Sequence, residues 1–454
     1  MKKTLLFLGV VATSLSFAQV MSPDWQTVQN TNFPSTSTGI RYLDAVDANV
    51  VWATGYNGMA PSENHCLFTM TSDGGVTFTS DSVFADTNTY VISSIEGIDA
   101  MTAYITTYDK VGQNLGDVFK TTNGGATWTS VKAVSMFTNS ASFANLTCFT
   151  DPMNGITMGD PINNDFEIYQ TNDGAATWTM VPAANLPVPQ SGEYGLVDVY
   201  TKLGNHIWFG TNKGRVYHST DAGTTWTVGS MPLAAQGVSR LAFTDPLNGL
   251  GVGYKGTSTA PVYSLYKTVN GGNTWTAVTT TLNVGKSDLC AIPGTNMFAS
   301  CGAGTGNYIL SYTTDQGTTW TDWGSTGIQY LKIDFIDNLT GWAGTFSDQV
   351  DATVGGIYKY SGLATSLKPL AEIAKVDLMP NPSNGLVNFT LPVAKSGLTI
   401  EVIDALGKVV YTEKTSSTTV GETKQLNLEA LPKGIYTVSI KTTSEKSFAK
   451  IVLQ

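Results

Sequence analysis

Arginine is the scarcest charge in this 454-residue chain: Arg41, Arg215 and Arg240 are its only three. Charged residues make up 13% of the sequence, about half the ~25% usual in globular proteins, and the net charge is −10. Without clustered base there is no electrostatic footprint for phosphate backbones, which excludes nucleic acid as a partner. Histidine is equally sparse, and His65, His206 and His218 stand apart, with no zinc spacing to the four cysteines. Beyond the N-terminus no apolar run reaches ~18 residues, so no later segment has the length of a membrane-spanning helix. Tryptophan is missing from residues 370–454, although ten precede residue 345.

What the chain does have begins with a secretory signal. Lys2 and Lys3 precede the apolar run TLLFLGVVATSLSFA, and Ser16-Phe17-Ala18 offers a small-x-small cleavage site. Removal of residues 1–18 takes the net charge from −10 to −12. Export permits disulfides, and Cys290 and Cys301 flank a predicted hairpin, so a cross-strand bond is one arrangement open to them. Cys66 and Cys148 fit equally well as buried small hydrophobes.

One polar octet recurs six times: TSDGGVTF, TTNGGATW, TNDGAATW, STDAGTTW, TVNGGNTW and TTDQGTTW. Its third positions are Asp73, Asn123, Asp173, Asp221, Asn270 and Asp315. A period of 45–50 residues with strand-rich, Gly-rich units predicts propeller blades. A seventh unit, from Ile328, has three predicted strands and no octet; the stretch Asp24–Gln29 reads as its missing fourth strand. The expectation is an all-β chain: a seven-bladed β-propeller closed end to end, residues 19–363, then a small Ig-like β-sandwich. Turn chemistry repeated six times cannot be one active site, so the octet is assigned to the fold. Asp47, Asp99, Asp151, Asp245 and Asp337, at the first hairpin turn of their units, are likewise turn residues.

The octet resembles the Asp-box, or BNR repeat, of sialidases, sortilin-type receptors, xyloglucanase-type glycosidases and photosystem II assembly factors. Asn123, Asn270, Ala175 and Phe78 are small departures from that pattern. The resemblance implies that ligands use the face opposite the octets. After a predicted linker, residues 364–375, residues 376–454 resemble the type A C-terminal sorting domain of the type IX secretion system. The matching stretches are LMPNPSNG, VIDALGKVV, LPKGIYTVSI and the terminal KIVLQ. That likeness implies export to the medium or outer surface of a Gram-negative bacterium, with the secretion machinery as a partner.

On the face opposite the octets, Tyr56, Tyr108, Tyr194 and Tyr254 are candidate stacking surfaces for sugars. Asp160, Glu193, Arg215 and Arg240 are expected to approach the same face around units three to five. They would bind a polar ligand or, as paired carboxylates, act as acid and base. Aligned on the first hairpin turn, Asp44, Glu96 and Asp334 share one register of the innermost strands. Arg240, Asp288 and Lys332 lie two residues earlier on the same face. Three carboxylates converging in the channel are candidate oxygen ligands for Ca2+.

A sialidase reading fails on the residue after Arg41 and on the opposite registers of Arg41 and Arg240. The expectation is therefore an exported, non-enzymatic propeller that binds a glycan or a protein. The alternatives are a secreted glycoside hydrolase, sialidase- or xyloglucanase-like, and a structural component of the surface layer.

Overall fold

The computed structural model divides the chain into two compact units, Met1–Leu363 and Ala364–Gln454. It describes residues 25–27, 30–60, 66–84, 89–111, 115–232, 236–257, 260–280, 284–303, 308–324 and 328–360 of the first unit. In the second it describes 371–372, 378–390, 396–404, 408–417, 419, 421–441 and 445–454. The signal segment 1–18 and most of the linker 364–375 lie outside the described residues.

The first blade has the antiparallel strands Thr38–Ala45, Val51–Asn57, Leu67–Thr71 and Thr79–Ser82. Five more four-stranded sheets follow, opening with Tyr90–Gly97, Ala144–Phe149, Gly195–Leu203, Gly237–Phe243 and Asp288–Ala291. The seventh sheet contains Lys332–Phe335, Gly341–Ser347 and Gly355–Tyr360, and its fourth strand is the N-terminal Trp25–Thr27. Trp25 pairs with Tyr360 and packs against Trp323, Phe335 and Tyr360 at centroid distances of 5.4, 5.9 and 5.3 Å. The first strand thus closes the ring on the last blade, which leaves no sheet edge open there.

The third blade's inner strand is covered on both sides, and all six residues of Ala144–Phe149 are buried. Second-strand aromatics latch one blade to the next. Trp52 Nε1 donates to Asp99 O at 2.9 Å, Tyr104 Oη to Gly174 O at 2.8 Å, and Trp208 Nε1 to Gly271 O at 2.9 Å.

The octets build a repeated turn. Asp73 Oδ1 accepts from Thr71 Oγ1 and Thr77 N, both at 2.9 Å, while Thr77 Oγ1 donates to Oδ2 at 2.6 Å. Asn123 preserves the geometry by donating from Nδ2 to Thr127 Oγ1 at 2.9 Å. The fifth octet position has positive φ in all six, +89° at Gly75 and +68° at Ala175, where the alanine accepts a conformation that favours glycine. The turn amides bind the first hairpin turn of the same blade, as in Gly74 N to Asn49 O at 3.0 Å. Octets and first turns therefore share one face of the propeller. At those first turns Asp47, Asp99, Asp151, Asp245 and Asp337 each accept from backbone amides.

The cross-strand Cys290–Cys301 bond, one arrangement the sequence leaves open, is not formed, and all four cysteines are free. Cys290 lies opposite Ala299 and Cys301 opposite Asp288, so the two thiols are diagonal neighbours. Diagonal positions stand about 7–8 Å apart, against the ~4 Å between Cβ atoms that a disulfide needs.

The second unit is a two-sheet sandwich. A five-stranded sheet and the two-stranded pair Leu386–Thr390 with Thr423–Asn427 share a core of Val387, Phe389, Ile400, Val402, Leu426, Val438 and Ile451.

Because Trp25 carries the closing contact, Trp25→Ala is expected to lower propeller stability by about 3–5 kcal/mol. Urea unfolding followed by tryptophan fluorescence measures it; a loss below about 1 kcal/mol would show that the ring does not depend on this strand.

Candidate ligand-binding face and channel

The innermost strands run from the face opposite the octets toward the octet face, and their inward side chains line a channel of about 340 Å³. Asp44, Glu96 and Asp334 all line it, as their common register predicts, together with Asp198, Lys202, Arg240, Asp288 and Lys332. The three carboxylates do not converge. Each accepts a backbone amide of the next blade: Asp334 from Ala45 N at 3.0 Å, Asp44 from Gly97 N at 2.5 Å, Glu96 from Phe149 N at 3.0 Å. Asp288 does the same with Ile333 N at 3.1 Å. Lys202 completes the series by pairing with Glu96 and donating to Phe149 O at 3.0 Å. Among the described residues no group of three or more His, Cys, Asp or Glu is arranged to hold a metal ion. At least one oxygen of each member of the trio is turned to a separate backbone donor.

Burial pushes the Asp334 carboxyl up to about 7, reinforced by the charge of Asp44, and outweighs its two backbone donors. Burial also raises Glu96, against the pull of Lys202.

The carboxylates Asp160 and Glu193 do not form an acid–base pair. Glu193 is buried and locked to Arg215 at 2.6 Å, with Thr211 Oγ1 and Gln190 N also donating to it at 2.7 Å. Arg215 is therefore a buried ion-pair partner and does not reach the ligand face. Asp160 lines a different cavity of about 440 Å³, where it accepts from Asn145 Nδ2 at 2.7 Å and Gly195 N at 3.0 Å. Burial pushes its carboxyl up to about 6.

The tyrosines fare differently. Tyr56, Tyr108 and Tyr254 occupy equivalent positions at the far end of the second strand, opposite Gly39, Val91 and Gly237. Gly237 makes room for the Tyr254 ring, since a Cβ there would lie 2.4 Å from it. Tyr254 and the 46%-exposed Tyr194 line the Asp160 cavity with Val197, Val199 and Val238. Tyr108 stacks on Phe143, which lines the same cavity, at 4.4 Å. Tyr56 lines an adjoining cavity of about 440 Å³ with Arg41, Asp198, Arg240 and Lys332. Arg240 and Val197 border both cavities, which therefore adjoin at the mouth of the channel that Arg240 also lines.

Sequence reasoning missed Asp198. It sits in a bulge of the fourth blade's first strand with φ +62°, and from there pairs with Lys332 and approaches Arg240 Nη2 at 4.0 Å. The only signal was an acid within the otherwise apolar GLVDVY. Bulges that re-aim one side chain are common beside functional sites.

Residues 377–454 match the family described as the secretion system C-terminal sorting domain. The tail is a sorting domain. It marks the chain as one delivered by the type IX system to the surface or medium of a Gram-negative bacterium. No curated protein is similar enough in sequence to match. Among solved structures, the propeller is similar to YCF48 bound to D1 peptide, with 18% identity, 77% of this chain and 98% of that chain covered, and a TM-score of 0.50. YCF48 from Cyanidioschyzon merolae gives 15% identity, 74% and 98% coverage, and a TM-score of 0.51. These likenesses support the propeller fold. The Niastella koreensis GH74 enzyme aligns at 12% identity over 89% of this chain and 68% of its own, with a TM-score of 0.26, too low to carry an argument.

Two outcomes follow. Glu193→Gln, which leaves Arg215 buried without its anion, is expected to cost about 3–5 kcal/mol in urea unfolding; an unchanged midpoint would return Glu193 to the candidate catalytic groups. Asp334 has a higher pKa folded than unfolded, so its contribution is full below about pH 4 and is lost as pH rises through about 7. The melting temperature is expected to fall between about pH 4 and 7, and to fall less in Asp334→Asn; parallel curves would place the titration elsewhere.

Proposed function

We propose that the propeller is a non-catalytic binding module that the sorting domain delivers to the cell exterior, and that its ligand is a glycan. The observation that carries this reading is the mouth of the channel. Tyr194 and Tyr254 line it beside valines, with Ser239 among its polar groups. Sugars bind to such surfaces by stacking their C–H faces on rings while hydroxyls meet nearby polar groups.

Glycoside hydrolysis by two carboxylates finds little support in the same region. One candidate, Glu193, is neutralised by Arg215, and the other, Asp160, faces no second carboxylate in its cavity. YCF48 has been solved with a peptide, but a likeness of 18% identity speaks for the fold alone.

The test exposes the full mature chain to neutral and acidic polysaccharides, reading retention and reducing ends together. Retention without cleavage is expected, and Tyr194→Ala or Tyr254→Ala should weaken it roughly 5- to 100-fold, the value of one lost stacking contact. Cleavage that disappears in Asp160→Asn would overturn the proposal in favour of a hydrolase.

A further inference from the structure

Charge is distributed unevenly along the channel. Its body is lined by five carboxylates, Asp44, Glu96, Asp198, Asp288 and Asp334, against three cations. At the mouth the balance reverses: Arg41, Arg240 and Lys332 line the Tyr56 cavity with Asp198 as its only acid. In a chain of net charge −10 with three arginines, two of them border this one cavity.

These three cations are not equivalent. Lys332 is neutralised by Asp198 and stands 3.7 Å from Asp288. Arg240 has Asp288 at 3.3 Å and spends Nε and Nη1 on the carbonyls of Ser287 and Ser239. Among the described residues no carboxylate pairs with Arg41. Its Nε donates to Tyr42 Oη at 3.2 Å, and its guanidinium carbon lies 5.8 Å from the Tyr42 ring, which Lys332 approaches to 6.0 Å. Tyr56 and Tyr108 are near enough for their hydroxyls to feel its charge. Arg41 is therefore a partly buried guanidinium held through Nε by the Tyr42 phenol, and among the described residues nothing bonds its two Nη groups, which leaves them for a planar anion. A carboxylate matches that fork and forms paired, charge-assisted hydrogen bonds with it.

Resting on the glycan reading above, we propose that the ligand is an acidic polysaccharide whose uronate carboxylate is held by Arg41, while neighbouring sugars stack on Tyr194 and Tyr254. A sugar is favoured over an acidic peptide because the flanking cavity is lined by Tyr194 and Tyr254 together with Ser239. Arg240 and Lys332, already matched by acids, set a positive potential at the entrance without being the anion's direct partners.

The probe is polygalacturonate, compared with its fully methyl-esterified form, which keeps the backbone and removes the charge. Binding to the full mature chain is measured by calorimetry and affinity electrophoresis. The acidic polymer is expected to bind roughly 10- to 100-fold more tightly than the ester, the worth of a charge-assisted hydrogen-bonded contact. Arg41→Gln should abolish that preference yet retain the weaker binding of the ester, whereas Tyr194→Ala should weaken both polymers. The comparison of the two polymers on the unaltered protein stands even if Arg41→Gln fails to fold.

Equal binding of both polymers would overturn the carboxylate inference and leave the glycan reading intact. Retention of polyglutamate but of neither polysaccharide would overturn both and point to a protein ligand. Binding to none of the three would also sink both. A preference that persists in folded Arg41→Gln would assign the anion to Arg240 or Lys332 and refute the role of Arg41.

Discussion

Seven separate sheets must be held in a ring, although adjacent blades share almost no backbone pairing; between the first and last blades it amounts to Gly39 opposite Phe346. Side chains must therefore join one blade to the next, and they do so at two radii. Near the axis, acids on one inner strand accept amides of the following one, from the sixth blade through the seventh, first and second to the third. Further out, indole and phenol groups of second strands reach carbonyls of the next blade's turns. Apolar packing fills the space between these contacts but does not fix the angular register; directional hydrogen bonds in a buried setting do, because leaving any one unmade costs the desolvation of a backbone group.

This requirement explains why acids stand in the channel at all. A carboxylate in a buried strand is expensive unless several donors meet it. Here the donors are the edge amides of a neighbouring blade, and the cost appears as raised carboxyl pKa values at Asp334 and Glu96. Residues that resemble metal ligands in a list of registers are thus consumed in holding the ring together. The same logic applies to Glu193, which neutralises Arg215 between strands.

The architecture was legible because it repeats. Six octets at a nearly constant interval set the blade period, and a final unit lacking its fourth strand points to Asp24–Gln29 as the missing piece, of which Trp25–Thr27 pairs with the last blade. The common register of Asp44, Glu96 and Asp334 was also visible, since alternation along a strand is periodic and each strand could be aligned on its turn. Direction within the channel was not. Whether three acids in one register face a common point or each turn to a neighbour depends on the tilt between blades, which no single strand encodes. Asp198 escaped for a related reason: the bulge between Gly195 and Tyr200 shifts the alternation, and a shifted register hides which side chain faces inward. Tyr56, Tyr108 and Tyr254 share one position at the end of the second strand, a recurrence that the alternation along each strand makes visible.

Scarcity then becomes informative. Where arginine is common, a guanidinium at a cavity needs no explanation, because exposed ion pairs form readily and contribute little. Here there are three arginines, and the structure accounts for each differently. Arg215 is matched by a buried glutamate, Arg240 by Asp288 and two carbonyls, and Arg41, among the described residues, by the Tyr42 phenol alone. A phenol stabilises a guanidinium through its ring and its oxygen but does not neutralise it. Keeping such a group partly out of water, when an acid on any of several adjacent strands would have matched it as Asp198 matches Lys332, is a cost that folding alone does not repay. An anion arriving from outside repays it, and the low-dielectric walls of the mouth strengthen that interaction in proportion to their exclusion of water. The distribution of three residues among 454 thus carries more about function than the octets, whose abundance already shows that they serve every blade alike.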